Sequence, residues 1–167
     1  MDLNLFKDLP DQSRLWIMGF SRPLGERGRQ AVSAQLESFL PTWNAHQIPV
    51  TGAFTLVEDR FAVVAGDAAD GLSGCSMDSC MANFKQLKRA GYDALNRALV
   101  FYRLADGSIQ AADRLTFVKK AESGEIDDTT RVFDTTLQTL GELRRAKGFE
   151  KPLADSWHAR LLPARSV

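Results

Sequence analysis

The segment VTGAFTLVEDRFAVVAG, residues 50–66, contains two runs of β-branched, aromatic and small apolar residues. Such runs are typical of strands that are partly or fully buried. Only Glu58 and Asp59 separate residues 50–57 from residues 60–66, a spacing short enough for a tight hairpin. The segment therefore predicts two neighbouring antiparallel strands.

The sequence before this hairpin predicts one strand followed by one helix. Residues 14–20, RLWIMGF, form a short apolar and aromatic run with polar residues on either side. Residues 25–40 carry apolar side chains at helical spacing, and Pro41 then discourages further helix.

The sequence after the hairpin repeats this pattern in the opposite order. Apolar side chains at helical spacing begin at Met77 and stop near Gly91, and residues 97–104, RALVFYRL, predict a fourth strand. A turn at Asp106-Gly107 then leads into residues 108–112, which predict a short fifth strand. The order βαββαβ predicts an α+β protein with a ferredoxin-like core, in which two helices cover one face of an antiparallel sheet.

The remaining residues predict a helical C-terminal extension. Residues 113–122 and 129–147 are expected to be helices, because an apolar stripe follows the Asp127-Asp128 pair in the second segment. No linker composition interrupts the chain, so we expect one domain over residues 1–167, with a core at about 12–112 and the extension at 113–167.

Composition argues against several classes of protein and of site. Lysine and arginine total 21 and aspartate and glutamate total 21, which argues against a nucleic-acid or anionic-membrane partner. No signal peptide and no run of about 18 apolar residues is present, so a cytoplasmic location is expected. The only cysteines are Cys75 and Cys80, too few for a disulfide framework or a structural zinc site, and no metal or cofactor is expected.

Residues 66–80, GDAADGLSGCSMDSC, form a glycine-rich loop between a predicted strand and a predicted helix. Gly66 to Ser73 match the glycines and the hydroxyl of a phosphate-binding P-loop, but Leu72 stands where that motif needs lysine. Asp67 and Asp70 would also place negative charge beside a phosphate. Nucleotide hydrolysis is therefore not favoured.

Cys75 is the candidate nucleophile of this loop. It falls at the predicted helix start, where free amide groups and the helix dipole favour a thiolate. His46 is the candidate base if the fold brings it to the thiol, although Trp43 and His46 also fit the end of the preceding helix. Cys80 shares the apolar stripe of its helix and is expected to pack in the core.

Three functions remain open from these residues. The first is a binding module that holds a small polar or anionic ligand, or a protein partner, at the helix start. Its candidate binding residues are Ser73, Gly74, Ser76, Asp78, Ser79, Asp67 and Trp43. The second is a thiol-dependent enzyme that uses Cys75 and His46, and the third is a structural or interaction protein with no ligand at this turn.

Five short stretches resemble a family of uncharacterised bacterial proteins, some of which carry the label of an ABC transporter ATPase. They are RLWIMGFSRPL, TWNAH, SGCSMDS, RVFDTT and SWH, spread over most of the chain. The most specific part is Ser73-Gly74-Cys75-Ser76 followed by Asp78-Ser79, with methionine at position 77 where isoleucine is expected. The resemblance implies no reaction, and the ATPase label finds no support because the chain has no Walker A lysine.

Overall fold

A computed structural model describes residues 3–163, and this part of the chain folds into antiparallel sheets and four α-helices. The strands are β1 (Arg14–Gly19), β2 (Asn44–Ala45), β3 (Ile48–Pro49), β4 (Thr51–Val57), β5 (Phe61–Asp67), β6 (Val100–Arg103), β7 (Ile109–Ala112), β8 (Arg131–Phe133) and β9 (Glu150–Pro152). The helices are α1 (Gly25–Phe39), α2 (Gly74–Arg89), α3 (Arg114–Glu122) and α4 (Leu140–Arg145). The chain divides into two compact units, the first formed by residues up to Leu95 with Thr135–Gly148, and the second by Asn96–Asp134 with the residues from Phe149 onward.

The first unit is built on a three-stranded sheet in the order β1-β5-β4. The predicted hairpin is confirmed, because β4 and β5 pair antiparallel from Thr51 opposite Asp67 to Val57 opposite Phe61. β1 pairs with the other edge of β5, and the central strand is buried on both faces. This burial explains why β5 has the most continuous apolar sequence of the three.

Helices α1 and α2 pack through their apolar stripes against one face of this sheet. The shared core contains Trp16 and Met18 from β1, Val32 and Leu36 from α1, and Phe84 from α2, all buried. The packing places the end of α1, the hairpin β2–β3 and the start of α2 beside one end of the sheet, where the candidate site lies.

The second unit is a four-stranded antiparallel sheet in the order β7-β6-β8-β9 with its own core. Residues of β6, β7 and β8 pack with α3 and the C-terminal 3₁₀ segments. The buried members of this cluster are Val100, Tyr102, Ala112, Phe117, Ile126, Val132 and Leu153. On the sheet, Glu150 accepts hydrogen bonds from Arg103 at 2.8 and 3.0 Å, and the Arg103 guanidinium holds the pKa of this carboxyl below its usual value.

The ferredoxin-like arrangement is not confirmed. The elements β1, α1, β4, β5 and α2 follow the expected order, but the fourth expected strand, β6, belongs to the second sheet. All four residues of β6 pair with β7 across the short turn at Asp106-Gly107. A turn of this length favours local pairing over a distant partner, because closing a short loop costs less entropy.

The predicted helix at 129–147 is wrong. Residues 131–133 form strand β8, and the helical part is confined to α4. Val132 and the threonines at 135, 136 and 139 are β-branched, which favours extended backbone over helix. Thr139 instead caps α4, since its hydroxyl accepts from the Glu142 amide while the Glu142 side chain accepts from the Thr139 amide.

Residues 44–49 form a hairpin, not the continued helix end that Trp43 and His46 suggested. His46 and Gln47 have positive φ angles of 49° and 69° and connect β2 to β3. Two consecutive left-handed residues are the geometry of a tight two-residue hairpin turn.

No helix among residues 3–163 is long and apolar enough to cross a membrane.

Candidate functional site

The indole of Trp43 packs into a gap in the face of the sheet, the glycine slot, which Gly52 and Gly66 leave open. Gly52 and Gly66 are cross-strand partners on β4 and β5. A Cβ atom at Gly66 would lie 2.4 Å from Cη2 of Trp43, and a Cβ atom at Gly52 would lie 3.0 Å from its Cε3. The indole therefore lies closer to the strand backbones than any residue with a side chain at these positions would allow.

The same indole connects the sheet to helices α1 and α2. Its ring centroid lies 5.0 Å from that of Phe39 at the end of α1 and 5.9 Å from that of Trp16 on β1. Its Nε1 donates a buried hydrogen bond of 2.8 Å to the carbonyl oxygen of Ser76 in the first turn of α2. A buried donor left without this acceptor would cost stability, so the bond fixes where α2 begins relative to the sheet.

The serines of the 73–79 turn bond mainly to each other. The Ser73 hydroxyl caps α2 by accepting from the Ser76 amide at 3.2 Å, and the buried Ser76 hydroxyl donates to the Ser73 carbonyl at 2.8 Å. The helix starts at Gly74, three residues before the start of the predicted apolar stripe. Ser76 therefore has no surface for a ligand, and the hydroxyl of Ser73 is already used as a cap.

The two cysteines of α2 have opposite environments. Cys75 is exposed in the first turn, whereas Cys80 is fully buried in the core, as the sequence predicts. Burial raises the pKa of the Cys80 thiol to about 12. His46 is exposed in the β2–β3 turn, and within residues 3–163 no hydrogen bond joins its ring to Cys75.

The remaining predicted residues lie around this turn without converging on one point. Gly74 and Asp78 are exposed on the first turn and a half of α2, and Asp67 is half-buried at the end of β5. In the part of the chain that the structure describes, no group of three His, Cys, Asp or Glu side chains is placed to hold a metal ion.

A groove of about 390 Å³ opens beside Trp43, between the end of α1, the start of β2 and the middle of α2. Aromatic, hydroxyl, amide and methyl groups line it, and none of them is ionisable. The lining residues are Phe39, Thr42, Trp43, Asn44, Ser79, Ala82, Asn83 and Gln86. The volume falls within the range of about 300–1,000 Å³ that is typical of small-molecule sites.

The polar side chains of the groove are held by hydrogen bonds to the protein. The hydroxyl of Thr42 donates to the Phe39 carbonyl and that of Ser79 donates to the Cys75 carbonyl, both at 2.9 Å. The Asn44 amide donates to the Thr42 carbonyl at 2.7 Å. These bonds fix the direction in which each oxygen presents its remaining lone pairs.

Gln35 on α1 joins the two amides of α2 that line the groove. Its Nε2 donates to Oδ1 of Asn83 at 2.7 Å and to Oε1 of Gln86 at 3.0 Å. Asn83, which is buried, also donates from Nδ2 to the carbonyl of Ser79 at 2.9 Å. Both helices therefore contribute to one polar network that holds the wall of the groove in place.

Two of the predicted site residues, Trp43 and Ser79, line this groove. The amides of Asn83 and Gln86 were not predicted, because polar residues on a helix are usually solvent-facing. Asn44 on β2 was not predicted either. Ser79, Asn83 and Gln86 nevertheless recur at i, i+4 and i+7, which puts them on one face of α2. That spacing, beside the tryptophan of a neighbouring segment, was the available signal.

Comparison with known proteins gives no relative for this site. No protein-family model, no curated protein and no solved structure matches the chain.

Proposed function

We propose that this protein is a small binding module and that its ligand occupies the groove beside Trp43. The observation that carries the proposal is the groove itself, a concave site whose polar groups are already oriented by bonds to the protein. Such preorganisation lowers the entropy that binding must overcome. No side chain that lines the groove is suited to proton transfer, and this favours a binding function over a catalytic one.

The proposed site lies one turn further along α2 than the helix start. It uses Trp43 and Ser79 from the predicted set, both of which line the groove. It does not use the hydroxyls of Ser73 and Ser76, because the Ser73 hydroxyl accepts from the Ser76 amide and the Ser76 hydroxyl donates to the Ser73 carbonyl. An anionic ligand at the helix start is therefore no longer part of the proposal.

The experiment is a fragment screen monitored by ¹H–¹⁵N NMR on the intact chain. Bound fragments should shift the backbone amides of Ser79, Ala82 and Asn83, together with the indole N–H of Trp43. The variant Ala82→Trp should fill the groove and abolish these shifts, because Ala82 is an exposed lining residue.

Ala34→Trp is the matched control, since Ala34 is an exposed alanine on α1 that does not line the groove. It should leave every fragment shift unchanged. Shifts that persist in Ala82→Trp, or the absence of any hit in the groove, would contradict the proposal.

A thiol-dependent enzyme is the second candidate. The observation in its favour is the exposure of Cys75 in the first turn of a 16-residue helix, where the thiol is accessible to a substrate. Among the described residues, no hydrogen bond between His46 and Cys75 supports His46 as the general base of such an enzyme. The pH dependence of thiol alkylation, described in the Discussion, tests this candidate.

The setting of the proposal comes from the sequence. The chain is proposed to belong with the uncharacterised bacterial proteins in which isoleucine is expected at the position of Met77 in the SGCSMDS stretch, and to act in the cytoplasm on a small ligand or a protein partner. The test is to express an SGCSIDS-containing relative of that family and repeat the fragment screen on it. A groove that binds the same fragments would support a shared function.

A further inference from the structure

The lining of the groove restricts the charge of its ligand, and this step rests on the proposed function. All eight lining residues are uncharged. A charged ligand would lose water on entering the groove and would find no counter-ion there, which is costly. A neutral ligand carries no such penalty.

The hydrogen bonds of the groove restrict the polarity of the ligand further. The hydroxyl protons of Thr42 and Ser79 are committed to backbone carbonyls, so both oxygens offer lone pairs to a ligand. In the described part of the chain, Oδ1 of Asn44 and Nε2 of Gln86 have no hydrogen-bond partner. The groove thus offers lone pairs on three oxygens, those of Thr42, Ser79 and Asn44, and N–H donors on Nε2 of Gln86 and on the second proton of Nδ2 of Asn44.

This inventory matches a molecule whose groups both donate and accept hydrogen bonds, as hydroxyl groups do. The half-buried ring of Phe39 adds an apolar wall against which C–H groups pack. We infer that the groove binds an uncharged polyhydroxylated small molecule, of the chemical class of neutral monosaccharides and sugar alcohols.

In this arrangement, ligand hydroxyls donate to Thr42, Ser79 and Asn44, and one hydroxyl oxygen accepts from Gln86. The aliphatic face of the ligand lies against Phe39. A lost neutral hydrogen bond is worth about 0.5–1.5 kcal/mol, so Ser79→Ala should weaken binding roughly 2- to 10-fold.

The test uses sugars that differ only in charge. A panel of neutral hexoses, pentoses and alditols is titrated by NMR, and each hexose is compared with its uronate and its 2-amino analogue. The expected result is that at least one neutral member shifts the amides of Ser79, Asn83 and Gln86. Its uronate and amino analogue should bind at least roughly 10-fold more weakly.

Ser38→Ala is the matched control for Ser79→Ala. Ser38 is also an exposed helical serine whose hydroxyl donates to a backbone carbonyl, that of Gln35 at 2.9 Å, but it does not line the groove. It should leave the affinity unchanged. Gln86→Lys should reverse the selectivity toward the uronate, because it places a cation on the wall.

The outcomes separate this inference from the proposed function. Charged analogues that bind as tightly as the neutral sugar, or a panel without binders beside positive fragments in the groove, overturn the ligand class alone. A groove that binds neither sugars nor fragments overturns both.

Discussion

The two thiols of α2 lie five positions apart and differ in accessibility. We expect Cys75 to react with iodoacetamide in the native protein and Cys80 to react only after unfolding. Cys80 is fully buried, and its raised pKa of about 12 leaves almost no thiolate at neutral pH. Peptide mass mapping after timed alkylation measures both rates.

Cys75→Ser and Cys80→Ser assign the rates to each site. Labelling of Cys80 at the rate of Cys75 would contradict the buried position. The pH profile of Cys75 in the Cys80→Ser background tests the enzyme candidate: rapid alkylation well below the free-thiol pKa of about 8.5 would support an activated nucleophile, and a profile centred near that value would remove it.

His158 in the second unit should make the stability of the protein depend on pH. The ring is buried and stacks on Trp157, with centroids 3.9 Å apart, and its Nδ1 is 2.7 Å from the Ser156 hydroxyl. Burial lowers the pKa of His158 to about 4, against the partial opposition of the Asp134 carboxylate. The unfolded chain therefore binds the proton more readily than the folded chain. The stability that comes from keeping His158 neutral is fully present above about pH 6.5 and is lost as the pH falls toward 4.

Urea denaturation at pH 7 and pH 5 measures this effect. The free energy of unfolding should fall by about 1–2 kcal/mol between the two values. His158→Gln should remove most of this difference, whatever its effect on stability at pH 7. His46→Asn is the control, since His46 is exposed, and it should keep the full difference. An unchanged pH dependence in His158→Gln would refute the assignment.

The contact between the β4–β5 pair and Trp43 is an interaction between elements, and Gly66→Ala tests it. The added methyl would overlap the indole at 2.4 Å, so the ring or the strand must shift. We expect a loss of about 1–3 kcal/mol in the free energy of unfolding, the usual cost of overpacking a core. Gly74→Ala is the control, because a Cβ there meets nothing within 4 Å and alanine suits a helix. Equal free energies of unfolding for the two variants would contradict the close contact between Gly66 and the Trp43 indole.

The elements with one clear periodicity were predictable from sequence. The β4–β5 hairpin, α1 and α2 follow from their strand or helix spacing and their turn residues. The structure of residues 129–147 was not predictable. Their apolar positions fit the stripe of a helix, but their β-branched residues favour extended backbone, and residues 131–133 form strand β8. The partner of β6 was also out of reach, since strand pairing depends on competing partners that no local pattern reveals.

Only part of the candidate site was predictable. The burial of Cys80 follows from its place on the apolar stripe of α2. The approach of Trp43 to Ser76 does not follow from any local pattern, because these residues belong to different segments and meet only through the glycine slot between them. The amide groove depends on that approach and so could not be predicted either.

On the scale of the whole molecule, the first unit is assembled from two separate stretches of chain. The later stretch is bonded to the earlier one by backbone hydrogen bonds, from Leu15 to Gln138 at 2.8 Å and from Leu140 to Ser13 at 3.0 Å. Arg144 adds to them by donating to the carbonyls of Phe6 and Leu9 at 2.8 and 3.0 Å. The N-terminal residues are thus held by a segment far along the sequence.

Arg144→Ala should loosen this connection. We expect a loss of about 1.5–3 kcal/mol in the free energy of unfolding, the usual value for a hydrogen bond from a charged donor, and faster hydrogen exchange in residues 3–15. Arg145→Ala is the matched control, since this neighbouring arginine is exposed and bonds to none of these carbonyls. Exchange rates in residues 3–15 that are equal in both variants would show that Arg144 does not hold the N-terminal segment.

The seat of Trp43 on Gly52 and Gly66 also constrains how this sequence can drift during evolution. A descendant that gains a side chain at position 66 has no room for the indole, and one that loses the indole no longer holds the Ser76 carbonyl. A side chain at position 66 would be tolerated best once the indole at position 43 has been lost, and the reverse also holds. Positions 43, 52 and 66 should therefore change together. Among descendants of this chain, small residues at 52 and 66 should accompany tryptophan at 43, and larger residues there should accompany a smaller one.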